Sequence, residues 1–129
     1  MVADSAGAHA LVSAARDMVR IDDAATAGLW PRAAALLGRQ GLEAAMDALF
    51  IKVAPGLQHA SGRCKVLCVG ELLNNRELGG RVALTWNTLS EACHHRVYDL
   101  PPTSAELTAA LETVWALADA VERLRARIA

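Results

Sequence analysis

Strand-forming residues are scarce in this chain, which has one Phe, one Tyr and three Ile among 129 residues against an abundance of Ala and Leu. Aromatic and β-branched side chains favour the pleated strand and Ala and Leu lead the helix scale, so the balance argues for helices. Charge of one sign is missing as well. Thirteen Lys+Arg stand against 14 Asp+Glu, a formal net charge of -1. With no basic block, the chain lacks the electrostatic footprint of a protein that grips long nucleic acid by its phosphates. A disordered tail is excluded by the 53% hydrophobic content, because disorder combines low hydrophobicity with a large net charge. No apolar run reaches the roughly 18 residues of a membrane span, and no membrane association is expected. Met1 to His9 carry Asp4 and no Lys or Arg. That is not a secretory leader, and a cytoplasmic location is expected. Three cysteines are an odd count, which predicts reduced thiols and not a disulfide framework. The glycine-rich phosphate loop, the nucleophile elbow and the dinucleotide fingerprint are all absent, which removes most common enzyme classes.

What is present is an amphipathic pattern repeated along the chain. Ala8, Leu11, Val12, Ala15, Met18 and Val19 recur at three-and-four spacing and predict a helix over about Ser5 to Thr26, closed by Gly28. The Trp30-Pro31 step opens a second helix that runs to about Val53 on the stripe Ala34, Leu37, Leu42, Ala45, Leu49 and Val53. Gly38 and Gly41 inside it each cost about 1 kcal/mol against Ala, so either another helix approaches closely there or the helix is locally weak. Pro55-Gly56 through Ser61-Gly62 reads as a linker. A short third helix, about Arg63 to Leu73, has apolar residues most of the way round, with Cys64 and Cys68 among them. It is expected to be buried on more than one side, its cysteines acting as small core hydrophobes. Asn74-Asn75-Arg76 breaks it, Gly79-Gly80 punctuates, and a fourth helix is expected from about Arg81 to Arg96. Pro101-Pro102 stop any helix, and Thr103-Ser104-Ala105-Glu106 is a capping box opening a last helix to about Ile128. The expectation is one domain over 1–129, an all-α antiparallel bundle of four to five helices.

The densest polar cluster runs from Trp86 to Asp99. Asn87, Ser90, Glu91 and His94 fall on one helical face, opposite Trp86, Leu89 and Cys93. An imidazole beside a carboxylate, an amide and a guanidinium suffices for acid and base work on a phosphodiester, with His94 and Asn87 active and Arg96 or Arg81 on the phosphate. The same residues also serve as a plain solvated helix end whose histidines cap carbonyls. A third reading is a ligand pocket near Trp86, rimmed by Asn87, Glu91, His94, His95 and Tyr98, for a nucleotide or metabolite. Cys64, Cys68, Cys93, His94 and His95 lack the two-residue cysteine spacing of structural zinc sites, so no metal and no cofactor are expected. Arg39 and Glu43, at i and i+4, read as a solvated surface pair.

Arg39-Gln40-Gly41-Leu42-Glu43 on the second helix, with Trp86-Asn87 and then His94 on a later one, resembles the HEPN superfamily of small four-to-five-helix bundles. The resemblance covers about Trp30 to the C-terminus. Its ribonucleases carry an arginine four to six residues before the histidine, whereas in this chain Thr88 stands six before His94, Asn87 one further back and Trp86 where an arginine would be easiest to align, and Arg81 is a dozen residues away. Without that guanidinium the transition-state charge has no partner. The resemblance therefore implies a non-nucleolytic member, of the kind that dimerises and acts as a partner or regulator in toxin-antitoxin and defence systems. A mean hydropathy of +0.23 points independently to a homodimer, since a small monomer rarely hides that much apolar surface. The sequence thus reads as a non-catalytic interaction module working as a homodimer with a possible protein partner, RNA or a nucleotide being the partner in the rival readings.

Overall fold

The structure, a computed structural model, describes residues 5–21, 30–94 and 100–128, and the side chains of 7–21, 30–94 and 100–124 among them. Five α-helices and one short 3-10 turn make up its regular elements: α1 (Ser5–Val19), α2 (Trp30–Val53), the turn (Leu57–His59), α3 (Gly62–Leu73), α4 (Arg76–Cys93) and α5 (Ser104–Ile128). No strand occurs among the described residues. The all-helical bundle expected from the composition is the fold found.

α2 is the centre. It buries Ala34, Ala35, Leu42, Ala45, Met46, Ala48, Leu49 and Phe50 and packs against α1, α4 and α5. Its two glycines are close-approach points. A Cβ on Gly38 would meet Leu111 Cδ2 of α5 at 2.9 Å, and one on Gly41 would stand 3.4 Å from the Ala8 carbonyl oxygen and from Val12 of α1. The conformational cost of glycine is thus offset by dispersion contacts with two neighbouring helices.

α1 lies antiparallel to α5. His9 Nε2 is 2.9 Å from Asp119 Oδ1, its ring meets Trp115 edge-on with centroids 4.3 Å apart, and two turns on the Arg16 guanidinium sits 4.6 Å above the same indole. α1 ends at Val19, with the Arg20 amide bonded back to the carbonyls of Arg16 and Asp17. This is short of the expected Thr26. Gly28 lies outside the described residues. At α5 the capping box forms: the Glu106 amide donates to Thr103 Oγ1 at 3.1 Å, while the Glu106 carboxylate takes up the Thr103 hydroxyl at 3.2 Å and not the amide.

The second layer is the α3–α4 hairpin, and three expectations are corrected there. Gly79-Gly80 does not punctuate. Asn74, left-handed at φ 51°, ends α3, and Asn75 caps α4 by accepting from the Leu78 amide at 3.0 Å, so α4 starts at Arg76 and carries both glycines within it. Gly79 is needed because a Cβ there would lie 2.6 Å from the Gly70 Cα. The two backbones touch. α3 is not buried on more than one side, since it packs chiefly on α4 and covers only Lys65, Val66 and Val69. Nor do its cysteines join the core; Cys64 and Cys68 are exposed, and Cys93 is half-buried. α3 has too few neighbours to hide its outer apolar face.

Candidate functional site

The polar cluster of α4 does not close into one site among the described residues. Asn87 and Glu91 are exposed, and His94 is the exposed C-cap, its amide bonded to the Glu91 carbonyl at 3.2 Å. Ser90 Oγ is buried with no hydrogen-bond partner. His95, Arg96 and Tyr98 lie outside the described residues. Trp86, on the opposite side of α4, is the one member drawn into a concavity.

That concavity is a cleft of about 290 Å³ between α2, the start of α3, and α4. Arg39, Glu43 and Asp47 line one wall, Gly62 and Lys65 another, with Met46 and Trp86 as its apolar part. Trp86 fits because position 62 has no side chain. A Cβ on Gly62 would fall 2.4 Å from the indole edge. The Arg39 guanidinium covers the indole at 5.0 Å and donates from Nε to Glu43 at 3.1 Å. Lys65, 9% exposed, donates to Asp47 Oδ1 at 2.5 Å. Two cations and two carboxylates therefore neutralise one another in place. The cleft binds its own helices together: an ammonium on α3 is held by a carboxylate on α2, and a guanidinium on α2 by an indole on α4.

The buried ammonium makes a prediction. Asp47→Asn leaves Lys65 without its counter-charge and is expected to cost about 1–2 kcal/mol, below the figure for a fully buried pair because Asp47 is partly solvated. Lys65→Met keeps the stem and removes the charge, and is expected to stay within about 1 kcal/mol of wild type. Urea unfolding measures both. Equal stability of the two variants would show that the pair does not pin α3 to α2.

An imidazole oriented by a carboxylate does exist, but it is His9, bonded to Asp119 between α1 and α5. Sequence reasoning missed it because 110 residues separate the pair. Its neighbours Trp115 and Arg16 make it a clasp between two helices. Among the described residues no three of His, Cys, Asp and Glu gather to hold a metal ion, and no helix is long and apolar enough to cross a membrane.

The remaining feature is the outer face of the hairpin. Leu67 of α3 is 74% exposed and Leu84 of α4 is 68% exposed. Leu67 does not stand alone. Leu67 borders a shallow groove of about 220 Å³ floored by Gly70, Gly79 and Gly80 and walled by Val66 and Ala83, with Glu71 and Arg76 at its rim. The exposed Cys64 and Cys68 flank Leu67 along α3. No protein-family model matches the chain, and neither a curated protein nor a solved structure does.

Proposed function

We propose that this protein is a non-catalytic helical interaction module, working in the cytoplasm, that docks a partner on the outer face of the α3–α4 hairpin. The observation that carries the reading is the solvent-facing Leu67 beside the glycine-floored groove, with Leu84 exposed on the neighbouring helix. Apolar surface left outside a core marks an interaction face. The positive mean hydropathy supports a homodimer as the form it takes. The HEPN-like reading is supported by proximity: Arg39 of α2 covers Trp86 of α4, so the two segments that carry the resemblance meet. A regulatory member of that superfamily suits a chain with no arginine among Thr88, Leu89 and Ser90, the positions six, five and four before His94.

Two assays test this. Purified protein incubated with mixed RNA and chelator is expected to leave the RNA intact; cleavage that disappears in His94→Ala would overturn the non-catalytic reading. In the second, a Leu67→Ser, Leu84→Ser double variant is compared with wild type for light-scattering mass and for binding of an apolar-surface dye. The docking face predicts a clear fall in at least one, with helix content and thermal midpoint unchanged. No change in either would sink it.

A further inference from the structure

We infer that the partner is a second copy of this chain, its α3–α4 hairpin laid antiparallel across the first about a two-fold axis beside Leu67. The inference rests on the interaction reading and names the occupant of that face. A two-fold interface brings one patch against itself, so the patch must carry its own complement. This one does in shape. Leu67 projects as a knob, and beside it Gly70, Gly79 and Gly80 leave a groove with no side chains to fill it. At Gly80 an added Cβ would meet nothing within 4 Å. Leu67 of the partner subunit has a seat there, and Leu67 of this chain has the equivalent seat opposite.

Charge is self-complementary about the same axis. Arg63 and Glu71 lie one helical turn to either side of Leu67, and both are exposed. An antiparallel two-fold pairing sets Arg63 against Glu71 of the partner subunit, and the axis repeats the contact. On α4, Arg76 begins the helix and Glu91 stands in its last turn, both exposed. The same rotation carries Arg76 towards Glu91 of the partner subunit. None of these four charges forms an ion pair within the described residues.

Their order along the helices is the second argument. A cation at the start of a helix and an anion at its end oppose the macrodipole, a placement that costs a few tenths of a kcal/mol to about 1 kcal/mol each at an exposed site. α3 has no acidic residue in its first turn and no basic residue in its last; α4 has Glu77 beside Arg76 in its first turn but no basic residue in its last. Opposite charges from an antiparallel neighbour offset that penalty at both ends of α3 and at the end of α4. A parallel neighbour would set like charges against each other.

The test is light scattering over a concentration series at low salt, with circular dichroism to confirm folding. Wild type is expected to be a dimer and Leu67→Glu a monomer of unchanged helix content. Glu71→Arg is expected to weaken association by about tenfold or more, since the reversal places like charges in contact twice. Arg63→Glu combined with Glu71→Arg is expected to restore most of it. A dimer indifferent to Leu67→Glu, or a double reversal no tighter than the single one, would overturn the arrangement. A monomeric wild type whose dye binding is lost in the Leu67→Ser, Leu84→Ser variant would overturn the second-copy inference while leaving the docking face to a different protein.

Discussion

Gly79→Ala is expected to destabilise the protein, and Gly80→Ala, one residue on, to stabilise it. Alanine gains about 1 kcal/mol over glycine inside a helix, and this gain applies at both positions. At Gly79 the added methyl would sit 2.6 Å from the Cα of Gly70 and 2.9 Å from its nitrogen, both backbone atoms with no rotamer to escape into. The helices must part, which costs about 1–3 kcal/mol or more when backbone has to move. A net loss of about 1–2 kcal/mol follows, a fall of roughly 4–8 °C in thermal midpoint for a domain of this size. At Gly80 the methyl enters open space, so the helical gain survives as a rise of a few degrees. Both are measured at dilutions where any dimer has dissociated. Midpoints that move the same way would show that α3 and α4 are further apart than described.

The largest loss is expected from Leu111→Ala. Leu111 is 1% exposed, and its Cδ2 occupies the space left by Gly38. Truncation of a buried leucine costs about 2–5 kcal/mol, the upper part of that range where rigid helices cannot collapse on the cavity. Gly38→Ala by itself presses a methyl to 2.9 Å from the same Cδ2. That atom is the end of a flexible side chain, so overpacking and helical gain nearly offset one another. In the double variant the new methyl partly fills the cavity, and the pair is expected to be more stable than the sum of single effects by about 1 kcal/mol. Chemical denaturation of the four proteins closes the cycle. Strict additivity would mean that Gly38 and Leu111 are not in contact.

The elements legible in the sequence were those written in neighbouring residues. Thr103 and Glu106 are three apart and Pro101-Pro102 adjacent, so the start of α5 needed no tertiary information. Gly79-Gly80 was misread because glycine carries two meanings, a breaker and a device for close approach, and only the presence of Gly70 opposite decides between them. Cys64, Cys68 and Leu67 were misread for a related reason. Apolar residues around a helix state that burial is favourable, but not that a neighbour exists on each side to supply it. The cleft was hidden by distance along the chain. Arg39 and Glu43 read as a solvated pair until Trp86 was found beneath the guanidinium, and Asp47 and Lys65 are 18 residues apart with no periodic signal to join them. Of the α4 cluster, Trp86 faces inward while Asn87 and Glu91 face out, as 100° per residue requires.

The clasp between α1 and α5 has a consequence for the order in which the chain folds during synthesis. His9 leaves the ribosome 110 residues before Asp119, an interval of roughly 5–20 s at ordinary elongation rates. Through that interval α1 can rest on α2, where Gly41 receives it, but its second supporting surface does not yet exist. The α3–α4 hairpin, closed through Asn74 and Asn75 by contacts between near neighbours, forms in microseconds once it emerges. Its apolar outer face is therefore complete while α5 is still being made. If the hairpin faces pair as proposed, two nascent chains on a polysome would meet through them before either bundle has closed.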